Sequence, residues 1–180
     1  MSELPRWEVF KQDGPNKVHQ AVGSVHAGDG QHALFTARSV FARRPAAVSL
    51  WVARADHIVA LTRQELEAGK GLPEGESGTF HVFGKKTNRR SMTLGDHLGT
   101  LDASSPQAAL EAARTQFGED LLVWWLVPDS ALVRSTDNAE TVESWFAPAK
   151  DKTYKQQSSY GVVGQHASAH KKAIRGGGHD

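Results

Sequence analysis

Residues 31–41 read QHALFTARSVF, residues 107–117 read QAALEAARTQF, and six of the eleven positions are identical. The matches are Gln31/Gln107, Ala33/Ala109, Leu34/Leu110, Ala37/Ala113, Arg38/Arg114 and Phe41/Phe117, a spacing of 76 residues. The same offset pairs Gly23 with Gly99 and Ala27 with Ala103. Upstream, WEVF at 7–10 lies over FHVF at 80–83; downstream, at an offset of 74, Trp51 falls on Trp125 and Val59 on Val133. Four blocks in one order are an internal duplication, with small insertions accounting for the drift.

Each copy reads strand, strand, helix, strand. In the first, residues 7–12 alternate and end at the turn signal Asp13-Gly14-Pro15, and a second strand follows over about 18–26. Asp29 can cap a helix over about 30–43, in which Ala33, Leu34, Ala37, Val40 and Phe41 form an apolar stripe and after which Pro45 follows. Residues 48–52, VSLWV, are the third strand. In the second copy, Ser105 before Pro106 suits an N-cap followed by N1, Gly118 stands where a helix C-terminal glycine belongs, and LLVWWLV at 121–127 reads as a buried strand.

A copy of about 60 residues is marginal alone. Two copies can share a sheet edge or pack sheet on sheet about a pseudo-two-fold axis. The expected fold is therefore α+β: two ββαβ ferredoxin-like repeats packed as an intramolecular pseudo-dimer, with an extended C-terminal tail. The repeats span 5–66 and 79–134. A Gly-, Pro- and charge-rich linker at 67–78 joins them. A tail at 135–163 has no counterpart in the first copy, and 164–180, with Gly176-Gly177-Gly178, is expected to lack order.

Composition narrows the chemistry. Lys+Arg is 21 against Asp+Glu 20 over 180 residues, a net charge of +1, which does not suit an extended nucleic-acid footprint. Cysteine is absent, which removes disulfides, thiolate catalysis and Cys-ligated zinc or iron–sulfur sites. No apolar run reaches the ~20 residues that cross a bilayer, and residues 1–7, MSELPRW, do not open a signal peptide. A cytoplasmic protein without membrane contact is the expectation.

Motifs for chemistry are sparse. There is no GxxxxGK[ST], GxGxxG or GxSxG. Di-iron carboxylate bundles need Glu-x-x-His on two helices. The nearest match here is Asp29-Gly30-Gln31-His32, where Asp29 is better spent as the cap. His166 and His170 are four apart, but Lys171 and Lys172 beside them would repel a cation. The expectation is no catalytic residue, no metal ligand and no cofactor in this chain. The basic cluster Lys85-Lys86-Thr87-Asn88-Arg89-Arg90, near Phe80 and Phe83, suits a solvated hairpin tip better than an RNA-stacking sheet. In the tail, Trp145, Phe146, Tyr154 and Tyr160 are spaced through polar chain with neither helical nor strand period. Such aromatics dock on a partner or on their own domain, and the sequence favours neither.

These residues resemble a known family. Trp7-Glu8-Val9-Phe10, Gly23-Ser24-Val25-His26-Ala27, Ala33-Leu34 with Ala37-Arg38, and Val48-Ser49-Leu50-Trp51-Val52 look like the B subunit of the multicomponent phenylacetyl-CoA epoxidase. Trp145-Phe146, Pro148-Ala149, Asp151-Lys152 and Tyr154 look like that family's C-terminal signature. The resemblance covers about 5–160. Members usually carry one copy followed by the tail; here the first copy lacks its tail and the second keeps it. The chain resembles a tandem fusion of two such proteins, in which the internal pair can replace the family's dimer.

The resemblance implies a role without a reaction. In that complex a different subunit holds the di-iron centre, a reductase subunit delivers electrons, and pairs of catalytic and structural subunits are bridged by the small B component. The implied partners are the catalytic di-iron oxygenase subunit and its paired structural subunit, with the reductase subunit as a further candidate. The implied interface residues are Trp145, Phe146, Pro148, Lys152, Tyr154 and Tyr160. The alternative is a duplicated ferredoxin-like module that binds a small molecule in a pocket lined from both copies.

Overall fold

The computed structural model describes residues 3–42, 47–89, 91, 93–136 and 145–147. The first half runs β1 (Arg6–Gln12), β2 (Gln20–His26), α1 (Gly30–Phe41), β3 (Ser49–Arg54), β4 (Val59–Thr62) and a short α2 (Arg63–Glu67). The second runs β5 (Gly78–Lys85), β6 (Gly95–Ala103), α3 (Pro106–Phe117), β7 (Val123–Pro128) and β8 (Val133–Arg134). The helix signals act as their chemistry requires. Asp29 Oδ1 accepts from the His32 N–H at 2.8 Å, and Ser105 Oγ accepts from the Ala108 N–H at 3.2 Å with Pro106 opening α3. Ala33, Leu34 and Ala37 on α1, and Ala109, Leu110 and Ala113 on α3, are the buried faces.

The fold is α+β, with all eight strands in one sheet in the order β4-β7-β5-β6-β2-β1-β3-β8, and every pairing is antiparallel. Of the two packings open to the repeats, the shared edge is the one adopted. β2 meets β6 with Gln20 opposite Asp96, residues 76 apart and therefore matched, and Gln20 Nε2 donates to Asp96 Oδ1 at 2.6 Å. A residue facing its own counterpart marks a two-fold axis. The fourth strands are exchanged: β4 of the first half pairs with β7 of the second, and β8 of the second with β3 of the first. These strands, of four and two residues, are too short for a period-2 pattern to mark in the sequence.

Helix α1 covers a core of Val9, Leu34, Ala37, Leu50 and Val52; α3 covers Val82, Leu110, Ala113, Trp124 and Leu126. A third core lies elsewhere and contains Phe10, Ala21, Ala53, Phe83 and Val127. Phe10 and Phe83, matched residues of β1 and β5, stack with ring centroids 4.2 Å apart. Two strands intervene between β1 and β5, a distance of about 14 Å in a flat sheet, so the sheet bends sharply toward this face.

A repeated device shapes each half. The β1–β2 register shifts between Val9 and Phe10, and the β5–β6 register between Val82 and Phe83. Opposite these bulges sit Gly23 (φ +145) and Gly99 (φ +157). A Cβ on Gly23 would lie 3.0 Å from Phe41 Cζ, and one on Gly99 2.8 Å from Phe117 Cζ. The matched glycines and phenylalanines of the two copies are thus one contact made twice: the last aromatic of the helix rests on bare backbone at the bulge. Gly99→Ala is expected to destabilise the fold by roughly 1–3 kcal/mol through backbone strain and crowding, read as a lower urea midpoint.

Candidate functional site

Two places gather side chains that folding alone does not demand. The first is the C-terminal segment. After β8 the chain returns to the first half, where Phe146 is 1% exposed and packs in the core beneath α1. Trp145 is partly buried against the same core and meets Phe146 edge-on, centroids 4.7 Å apart. Arg38 Nη1 donates to the Trp145 carbonyl at 3.1 Å, and its guanidinium lies 5.0 Å from the Trp145 ring centroid and 5.4 Å from that of Phe35. Phe146 is therefore packed within its own chain, while Trp145 extends a surface begun by α1. Pro148, Lys152, Tyr154 and Tyr160 lie outside the described residues, as do His166, His170 and the stretch 164–180.

The second place was not foreseen from the sequence. On the face opposite the helices, His19, Trp51, His81, His97, Asp129 and Arg134 come together from both halves. His19 stacks on Trp51 at 3.5 Å, and its Nε2 is 3.0 Å from Ser49 Oγ. His81 Nδ1 is 3.1 Å from His97 Nε2, and His81 Nε2 is 2.8 Å from Asp129 Oδ1 and 3.2 Å from Arg134 Nη2. Arg134 also donates to Asp129 and lies over the Trp51 ring at 5.1 Å. The Trp51 Nε1–H is buried without a hydrogen-bond partner among the described residues.

Charge in this cluster is tightly controlled. Burial, reinforced by His97, His81 and Arg134, pushes His19 down to about 3. Burial, then His81, pushes His97 down to about 4 against an opposing hydrogen bond to the Gly99 backbone. Hydrogen bonds from His81 and Arg134 hold the Asp129 carboxyl below its usual range. With His97 neutral and one ring N–H engaged at Gly99, its Nε2 accepts from His81 Nδ1–H. Ser49 beside His19 is only 4% exposed, so this pair offers no accessible nucleophile. Among the described residues no group of three or more His, Asp or Glu side chains is arranged to hold a metal ion.

The two-fold axis does not repeat the cluster. Glu8 stands where His81 does, Ala21 where His97 does and Gly95 where His19 does. No motif marks His19, His81 and His97 in the sequence: His81 and His97 lie on the paired strands β5 and β6, and His19 and Arg134 join them through the β2–β6 junction and the β3–β8 exchange. Its trace in the sequence is that His19, His81 and His97 each differ from the residue at the matched position of the other copy.

A separate groove of about 800 Å³ is lined from both halves and the linker by Asp56, His57, Glu74, Glu76, Phe80 and Asp129, among others, and by no Lys or Arg.

The buried histidines set an acid limit on stability. An unfolded histidine protonates near pH 6.5, while His19 and His97 stay neutral in the fold down to about 3 and 4. Below pH 6.5 the unfolded chain binds more protons, so stability falls as pH drops from 6.5 toward 4. Glu8, raised by burial, works in the opposite sense, its contribution declining as pH rises from 4.5. The urea midpoint is expected to be lower at pH 5 than at pH 7.5, with the difference reduced in His19→Gln and His97→Gln.

The comparisons with known proteins agree with this architecture. The family described as PaaB, phenylacetic acid degradation B, matches the chain over residues 3–70 and 76–167, two segments that correspond to the two halves and the segment after β8. The B subunit of the 1,2-phenylacetyl-CoA epoxidase of Escherichia coli (strain K12) is 38% identical over 76 residues, 42% of this chain and 78% of that protein. No solved structure matches. Among the described residues no helix is long and apolar enough to cross a membrane. With the family matched across both halves of a duplicated, strand-exchanged sheet, the chain belongs to the phenylacetic acid degradation B family.

Proposed function

We propose that this chain is a non-catalytic structural subunit of a phenylacetyl-CoA epoxidase-type oxygenase in phenylacetate breakdown. On this reading it ties a catalytic di-iron oxygenase subunit and its paired structural subunit into one cytoplasmic assembly. It carries no cofactor, and the reductase subunit is a further neighbour. Family membership supports the pathway, and one structural observation carries the role. The protein builds a pair from itself: edge joined to edge at Gln20 and Asp96, fourth strands exchanged, Phe10 stacked on Phe83. Each half we read as a ferredoxin-like unit at the level of layers, one helix on an antiparallel sheet. The histidine cluster then serves the join, because it links β3, β5, β6 and β8 with His19, which leads into β2, between the two halves.

The groove lined from both halves favours a second reading, a small-molecule site. Of its four carboxylates, Asp56 pairs with Arg54 and Asp129 with Arg134, and Glu74 and Glu76 would repel the phosphates of a coenzyme A thioester. A thermal shift with a cationic or neutral metabolite, absent with the thioester, would support that reading over the structural one.

Two measurements test the proposal. The purified chain, given an electron source, oxygen and phenylacetyl-CoA, is expected to show no turnover and no bound iron. Added to the oxygenase subunit pair, it is expected to co-elute with them on size exclusion. Turnover by the chain alone, or its elution apart from them, overturns the reading.

A further inference from the structure

The two halves share a backbone but not a surface. Two of the five large hydrophobic side chains exposed among the described residues stand on α1: Phe35, 48% exposed, and Val40, 55% exposed. At the matched positions of α3 stand Glu111 and Gln116. The local structure around them is the same. Ser39 Oγ donates to the Phe35 carbonyl at 3.1 Å and Thr115 Oγ1 to the Glu111 carbonyl at 3.0 Å, so folding asks for neither pair of outward side chains. The matched arginines differ as well. Arg114 pairs with Glu119 at 2.8 Å in solvent, and Gln107 Nε2 donates to Glu111 Oε1 at 3.0 Å, so the outer face of α3 is satisfied within itself. Arg38 instead lies against the rings of Phe35 and Trp145 and extends the α1 patch onto the C-terminal segment.

We propose that the outer face of α1 with Trp145 is the docking surface for the oxygenase subunit pair and that α3 offers none, so each chain holds one such pair rather than two. This rests on the structural-subunit reading. The charge names the occupant. Helix α1 contains no Asp or Glu and carries His32 and Arg38. The complementary surface is an apolar centre that accepts Phe35 and Trp145, ringed by carboxylates. A second copy docking α1 on α1 is a poor occupant, since that helix supplies no carboxylate to meet Arg38.

The test exchanges residues between matched positions. The full chain is mixed with the purified catalytic and structural oxygenase subunits of the same host, and native mass spectrometry counts the components. Phe35→Glu/Val40→Gln places on α1 what α3 already carries; Glu111→Phe/Gln116→Val does the reverse. Wild type is expected to bind one oxygenase pair per chain, with affinity falling as salt rises. The α1 variant is expected to lose roughly tenfold or more in affinity with an unchanged urea midpoint, and the α3 variant to bind as wild type. Should the double α1 variant be less stable, Phe35→Ser, which removes only the exposed ring, carries the same expectation of weaker binding. Undiminished binding by the α1 variants, two oxygenase pairs per chain, or self-association that these variants abolish would overturn the proposal. If wild type binds no oxygenase pair, the structural-subunit reading falls with it; if wild type binds and the α1 variants bind equally, this inference alone falls.

Discussion

A sheet edge is a row of unpaired N–H and C=O groups, and a three-stranded sheet under one helix has two such edges for very little core. That constraint organises this protein. Each half, taken alone, leaves its second strand bare on one side and its third strand bare on the other. The β2 edge is closed against β6, its own counterpart, and the remaining edge by a strand borrowed from the other half. Neither half completes its sheet without the other. The stacked Phe10 and Phe83 and the contact of His81 and His97 with Trp51 follow from the closeness this mutual completion imposes.

What was legible in the sequence was what repeats or caps. QHALFTARSVF over QAALEAARTQF placed both helices, and Asp29 and Ser105 placed their starts. The matched Gly23 and Gly99 were visible as a coincidence of position; only coordinates reveal that each makes room for Phe41 or Phe117. The strand exchange was not legible, because β4 and β8 are short and their partners lie more than 60 residues away in the chain, from Leu61 to Trp124 and from Trp51 to Arg134. The histidine cluster was hidden for a related reason: His81 and His97 meet on β5 and β6 of the second half, and His19 and Trp51 reach them only across the junction.

The halves have diverged where symmetry no longer constrains them. In a dimer of identical chains every residue appears on both sides of the axis. Here His81 faces Asp129 and Arg134 on one side, while Glu8 pairs with Arg6 at 3.1 Å on the other. Phe35 and Val40 stand on one helix, Glu111 and Gln116 on the other. Buried positions such as Ala33/Ala109, Leu34/Leu110 and Ala37/Ala113 stayed alike because both cores need the same volumes.

The linker between α2 and β5 spans residues 68–77. It turns a meeting of two bodies into an intramolecular event, at an effective concentration that short linkers set at roughly millimolar. An unlinked pair comes apart on dilution, and its integrity tracks how much of it the cell makes. This polypeptide brings both halves to every encounter, so its sheet stays whole however scarce the molecule becomes.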